Sequence, residues 1–368
     1  MSKKSFTIAA LVAAATVGDG VFALPYMFQQ AGWLLTLGYL LFLGAIVVVA
    51  HSVYLGTLEK VGEKQRLLGL ARKYFGAPGF WIGFCSIVIG LLLTLVAYLL
   101  LGTEFIHLGV PMVRERYAFV IFWVLISLPI FFDDSSVVEL ETIGIICTAV
   151  IIAVIFIDAF PNMTFASTPA INWQNIFLPF GAVLFSLAGW TSIEPAYEAR
   201  KGGKNPLNPW KSLTAGTLLA AVLYTIFSAG ILGSTSSITP DTASGLAQWP
   251  FWKRELVAIM GLLAVATVYM PISREIKNSL EKDLHWNKVI SRAFIVLIPP
   301  ALIVLGFNNF LVVVGVVGGL FLSTQYLLII SVGRRALKPS PVQTFFMDLV
   351  VILFAIAAVY SVYTFIVR

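Results

Sequence analysis

Runs of about 20 apolar residues recur along the whole of this chain, and each is long enough to cross a hydrocarbon layer roughly 30 Å thick. Nothing else in the sequence constrains its fold so strongly. Lipid offers backbone N–H and C=O groups no partner, so a run of this kind must close its hydrogen bonds within itself as a helix. The composition agrees: 59% of residues are hydrophobic and only 11% charged, against about 25% charged in ordinary soluble domains. Mean hydropathy is +0.93. These values exclude a soluble enzyme and predict an all-α integral membrane protein. Runs bounded by charge, proline or glycine clusters fall at 6–28, 31–58, 80–106, 117–132, 138–158, 175–198, 212–234, 251–273, 289–306, 308–330 and 344–367, which makes eleven spans. The basic start "MSKKSF" leads into an apolar run with no small-residue cleavage site, so it reads as the first permanent span. Cys85 and Cys147 both lie inside apolar runs and read as small buried hydrophobes.

Orientation follows from charge. The polar pieces at 59–79, 199–211, 273–288 and 332–341 fall on one side of the alternation. With the N-terminus inside, that side holds 19 of the 24 Lys and Arg residues, leaving Arg114, Arg116, Lys253, Arg254 and Arg368 outside. Cytoplasmic loops carry such an excess. The expected topology is therefore multi-pass in the cytoplasmic membrane, N-terminus inside and C-terminus outside. The formal net charge of +6 is explained by basic loops facing an anionic leaflet and requires no nucleic acid.

Within the first span, "ATVGDGVFALPYMFQQAGW" (15–33) places Gly18-Asp19-Gly20 near mid-membrane, where an ionisable group is most costly. Paired glycines suit close helix packing. An acid between them points instead to a helix broken on purpose, whose freed N–H groups face an anion and whose freed carbonyls face a cation. A matching small-residue stretch, Ser186 to Gly189, lies in span six, five spans later and running in the opposite direction. Five spans plus five in inverted repeat, with an eleventh added, fit both count and topology. The units are then 1–158, 175–330 and 344–368.

"GDGVFALPYMFQQAGW" resembles the first-helix motif of the amino acid/polyamine/organocation transporter superfamily, with its nearest likeness in the bacterial aromatic/hydroxy amino acid permease and amino acid/auxin permease branches. "PFGAVLFSLAGWTSIEPAYE" resembles the sixth helix of those branches, and "ATVYMPISREIKNSLEKDLHWNK" the eighth helix with its following loop. The resemblance implies the leucine-transporter fold with helices 1 and 6 broken, and import of an amino acid driven by Na⁺ or H⁺. It implies no enzyme activity, no cofactor and no metal other than a coupling Na⁺; the partners are the substrate and membrane lipid, with no protein partner. Carried over by position, the substrate carboxylate meets backbone N–H groups of Gly18, Asp19, Gly20, Val21 and Phe22. The amine meets carbonyls near Val17 and around Phe185, Ser186 and Ala188, and Tyr98 lines the pocket. A coupling Na⁺ would sit among Ala14, Val17, Leu263, Ala266 and Thr267, of which only Thr267 supplies a hydroxyl. Some proton-coupled relatives put a lysine of the fifth helix in that place, but span five here has none.

Asp19 departs from the family, which usually has Ser, Ala or Thr there. A carboxylate facing a substrate carboxylate repels it unless protonated or bridged by a cation. Asp19 therefore reads as a proton carrier, a cation ligand, a recognition site for a substrate amine, or a cap on the broken helix. Elsewhere, Glu194 reads as a solvated helix end with a gating or proton-relay acid as its alternative. His51 reads as a packing histidine, with a proton relay as its alternative, and Glu104, His107 and Asp158 read as interfacial. Asp133-Asp134 could hold Mg²⁺ for an enzyme, but no second acidic cluster faces them, and they precede a helix as an N-cap does. A nutrient receptor of the same fold, such as a germinant-receptor subunit, is the alternative to a transporter.

Overall fold

The computed structural model describes residues 9, 12–13, 15–62, 66–131, 137–162, 168–200, 209–235 and 238–367. Among them every regular element is helical. The first span is helical up to Thr16, bends at Val17 and Gly18, and resumes as a 3₁₀ turn, Asp19–Ala23, leading into α1 (Leu24–Ala31). Then come α2 (Trp33–Val61), α3 (Leu67–Gly109), α4 (Glu115–Ser127) and α5 (Val137–Ala159). The sixth span is again divided, into α6 (Leu178–Ser186) and α7 (Ile193–Arg200) around a 3₁₀ turn, Trp190–Ser192. The rest are α8 (Pro209–Ser234), α9 (Phe251–Asn278, prolonged by a π turn Ser279–Asp283), α10 (Lys288–Val304), α11 (Phe310–Leu337) and α12 (Pro341–Val367).

Among the described residues, six helices are long and apolar enough to span a membrane: α2, α3, α8, α9, α11 and α12. The runs expected at 117–132 and 289–306 form the shorter α4 and α10. Two expected loops are helical instead. The polar piece 59–79 gives way to α3 at Leu67, because Leu67, Leu68, Leu70 and Ala71 form an apolar face that packs into the core. A kink at Gly76 (φ 65°) then turns this amphipathic opening into the span itself. Likewise α9 runs on to Asp283, with Ile276 and Leu280 buried.

The core lies around the two interruptions. The largest fully buried side chains include Trp190, Tyr54, Tyr224, Tyr269, Tyr326, Phe22 and Phe227, and all of the helices just named, apart from those at the rim, contribute to this centre. The rim faces outward with Leu, Ile, Val and Phe; on α12, Phe345, Leu349, Ile352, Ile356 and Val359 are exposed, a surface that suits lipid. The segment before α6 seals the turn from α1 to α2. Trp33 and Leu34 donate N–H groups to the carbonyls of Pro169 and Ala170 at 3.1 and 3.0 Å, and Asn172 and Asn175 donate side-chain amides to Gln30 O, each at 3.0 Å.

Candidate substrate site at the two helix breaks

Gly18 has extended, non-helical backbone (φ −116°, ψ −146°), and its N–H reaches only the Thr16 carbonyl at 2.9 Å. The helical ladder therefore stops there, and Pro25 opens α1 where its missing N–H costs nothing. In the sixth span α6 ends at Ser186, and Gly189 (φ −116°, ψ 16°) precedes the next turn. Each break leaves carbonyls free at the end of one half-helix and N–H groups free at the start of the other.

The two breaks touch. A Cβ on Gly20 would stand 2.5 Å from Ser186 Cα, so only glycine permits this approach. Ser186 Oγ lies 2.7 Å from Gly20 O and 2.8 Å from Ala182 O, offering its single proton to the two. A Cβ on Gly189 would stand 2.5 Å from Thr16 Oγ1 and 3.6 Å from His51 Cε1. Tyr224 of α8 completes the junction: its hydroxyl lies 2.6 Å from Ser186 O and in contact with Thr16 O. Those carbonyls terminate α6 and the first half of span one, so the negative ends of two half-helix dipoles converge on one hydroxyl. On the other side, Thr242, in left-handed conformation (φ 59°), donates to Phe22 O at 2.5 Å.

Beside the breaks stands an aromatic group. The ring of Tyr98 (α3) lies 6.4 Å from Phe185 (α6) and 6.3 Å from Tyr269 (α9), while Phe22 packs edge-on to Phe105 at 4.5 Å and Phe227 at 5.3 Å. Trp190 donates its indole N–H to Gln325 of α11 at 2.6 Å, and Gln325 donates in turn to Ser86 O of α3 at 2.6 Å.

The structure thus brings together Val17, Gly18, Gly20, Val21, Phe22, Phe185 and Ser186, all buried, with half-buried Ala188 and with Tyr98 adjoining. Asp19 opens the 3₁₀ turn in backbone; its side chain, all of Ala14 and Asp133-Asp134 lie outside the described residues. Leu263 and Ala266 are half-buried. Thr267 turns its hydroxyl back to Ala264 O at 2.8 Å and its methyl toward Gly144 of α5; the α9 side chain against Gly18 is Val268.

Among the remaining candidates, the reading of Glu194 is overturned. Glu194 is no solvated end: Tyr54 donates to its Oε1 at 2.7 Å and Arg66 Nη1 stands 3.1 Å from Oε2. Arg66 also meets Glu275 Oε2 at 2.5 Å. Burial works against the Arg66 charge, but Glu275 and Glu194 outweigh it and hold the guanidinium above its ordinary value. His51 is fully buried beside Gly189, with Nε2 3.3 Å from the Tyr326 hydroxyl. At the far end of α3, Glu104 lines a cavity of about 780 Å³ with Glu115, Arg116 and Asp241. His107 Nδ1 pairs with Val113 O at 3.0 Å, and Asp158 pairs with Lys253. Tyr224, Thr242, Arg66 and Glu275 were not legible as site residues: one tyrosine in "AAVLYTIF" and acids or bases at helix ends carry no local signal. Gln325 did carry one, as a lone amide in an apolar run.

An all-helical membrane bundle with two interrupted helices crossing at its centre has the architecture of a membrane transporter. The chain belongs to the tryptophan/tyrosine permease family, which it matches over residues 1–333. Its fold is similar to the crystal structure of a mutant manganese transporter from Eremococcus coleocola, with a TM-score of 0.60 and 13% identity, covering 98% of this chain and 94% of that one. At that identity the likeness is one of fold. No curated protein matches the chain in sequence.

Proposed function

We propose that this permease imports an aromatic amino acid across the cytoplasmic membrane by alternating access, coupled to H⁺ or Na⁺. Its two inverted halves are 1–158 and 175–330, with 344–368 added, and with the basic ends cytoplasmic it has eleven spans. The observation that carries this reading is the contact of the two breaks, Gly20 on Ser186, inside the stretch that matches the family.

The substrate carboxylate is taken by the N–H groups of Gly18 to Phe22, at the positive end of the second half of span one. Its ammonium faces the carbonyls near Val17, Phe185, Ser186 and Ala188, where two negative helix ends meet. Its ring lies against Tyr98, with Phe185 and Tyr269 completing an aromatic wall that favours indole or phenol through edge-to-face contact. Asp19 is assigned to ion coupling or to the amine; Ala14, Val17, Leu263, Ala266 and Thr267 are the positions for a Na⁺.

Purified protein should gain thermal stability from tryptophan or tyrosine above all other amino acids, and proteoliposomes should exchange the stabilising amino acid. Stabilisation by Mn²⁺ and by no amino acid would sink the reading. Binding without exchange would mark a receptor. Measuring Asp19→Asn and Asp19→Ser across pH and Na⁺ concentration tests the aspartate: unchanged dependence in both removes it from ion coupling.

A further inference from the structure

Below the breaks, four elements close on one cation. Arg66, just ahead of α3, sets a single nitrogen, Nη1, 2.5 Å from Glu275 Oε2 of α9 and 3.1 Å from Glu194 Oε2 of α7, while Tyr54 of α2 holds the other oxygen of Glu194. The side chains of Arg66, Glu194 and Glu275 are only 16, 14 and 6% exposed. Among the described residues, the further charged or titratable groups facing them are Asp283 and Lys282 at the end of α9, His285 beyond it, and exposed Glu198 on α7.

Among the described residues, two buried carboxylates on one guanidinium nitrogen leave a negative charge uncompensated. Lys282 and Asp283 cancel in number, and Asp283 keeps one oxygen, Oδ2, buried with no hydrogen-bond partner. An unpaired buried charge is removed most cheaply by binding a proton. Two carboxylates so close share that proton as a pair.

A second observation links this pair to the breaks. His51 is fully buried, and its Nδ1 has no hydrogen-bond partner. It lies one helical turn from Tyr54 on the same face of α2, with its ring edge against Gly189. An imidazole can accept a proton at one nitrogen and release one from the other, so His51 stands as a polar station between the breaks and the carboxylates.

We propose that Glu194 and Glu275 share one proton across Arg66, and that this is the coupling proton, held while the cytoplasmic end of the bundle is closed and released when α7 parts from α9. The inference rests on the transport reading above. The break at Gly189 makes α7 a separate lever, and its only charged anchor to α9 is this cluster among the described ion pairs. Once parted, each carboxylate is hydrated, and a hydrated glutamate is ionised at neutral pH. The proton leaves to the cytoplasm, and Arg66 keeps one carboxylate as partner on reclosure until a new proton restores the pair.

The test uses the full chain in proteoliposomes with radiolabelled tryptophan, comparing wild type with Glu194→Gln and Glu275→Gln. One coupled proton lets an inside-alkaline gradient raise tryptophan accumulation about tenfold per pH unit in the wild type. Either variant leaves one carboxylate on Arg66 and no proton to carry, so tryptophan should only equilibrate, to a ratio near one, while counterflow exchange without a gradient persists. Gradient-driven accumulation retained in either variant overturns the proposal. So does loss of exchange in both, which would mark a structural clamp, or a wild type driven by Na⁺ alone. Loss of driven accumulation in His51→Gln with both glutamine variants still driven would move the proton to the imidazole and overturn it as well. Absence of exchange in the wild type would strike the transport reading itself, separately from these outcomes.

Discussion

At the scale of single residues, the junction of the breaks depends on one hydroxyl and one missing Cβ. Tyr224 supplies a proton to Ser186 O and a second donor to Thr16 O, which the Gly18 N–H already reaches at 2.9 Å. Tyr224→Phe keeps the ring and removes that proton, taking from the buried Ser186 carbonyl its hydroxyl donor while Thr16 O keeps the Gly18 N–H, at a cost of about 1–3 kcal/mol. The expected outcome is a lower melting temperature that added tryptophan partly restores, because in the proposed site the substrate ammonium brings donors to the same carbonyls. Equal stabilisation of variant and wild type by tryptophan would show that the ammonium binds elsewhere. Gly20→Ala acts by bulk: its methyl would stand 2.5 Å from the Ser186 backbone, forcing the breaks apart at about 1–3 kcal/mol. Binding should fall with stability there, whereas Gly38→Ala, whose Cβ meets nothing within 4 Å, should change neither. The glycines were legible in the sequence because a close approach demands glycine itself. Tyr224 was not, since any of several tyrosines could have faced inward and only the packing of α8 selects it.

At the scale of elements, periodicity and charge located the apolar runs well and their polar edges poorly. The openings of α3 and the end of α9 look like loops because basic and acidic residues crowd them. They fold as helix because one face of each, Leu67, Leu68, Leu70 and Ala71 or Ile276 and Leu280, is buried, and burial of that face outweighs the polar composition of the other. This is also why the cluster of Arg66, Glu194 and Glu275 escaped notice: Arg66 and Glu275 fall in polar connecting pieces and Glu194 reads as a solvated helix end, yet the helices at or beside them fold inward. The polar chain from Trp190 through Gln325 to Ser86 ties the sixth span to α11 and α3. Gln325→Leu removes both bonds and strands a buried indole N–H and a buried carbonyl, at about 1–3 kcal/mol each. Thermal unfolding should register that loss. An unchanged melting temperature would mean that water replaces the amide without cost.

At the scale of the whole molecule, the family match ends at residue 333 and α12 begins at Pro341, so the last helix stands outside the shared unit. It is not merely ornamental. One row, Met347, Val350, Phe354 and Ala357, is buried, and Phe354 stacks at 5.3 Å on Tyr326, the partner of His51. The opposite row is exposed and suits lipid. On the proposed eleven spans, with 19 of 24 basic residues assigned inside, the C-terminus should lie outside, and α12 alone decides this. A reporter that is active only in the cytoplasm should therefore be silent when fused after Arg368 and active when fused after Lys338, the last of three basic residues in a loop expected inside. The shortened chain should still bind tryptophan, since α12 contributes no residue to either break, but with a lower melting temperature because Tyr326 and its neighbours on α11 lose their cover. Activity of the reporter at both positions would make the number of spans even and remove the inverted repeat of five plus five with a single added helix. Silence at Lys338 would reverse the orientation and place the Arg66 cluster on the outer face, where the proton would be taken up and not released.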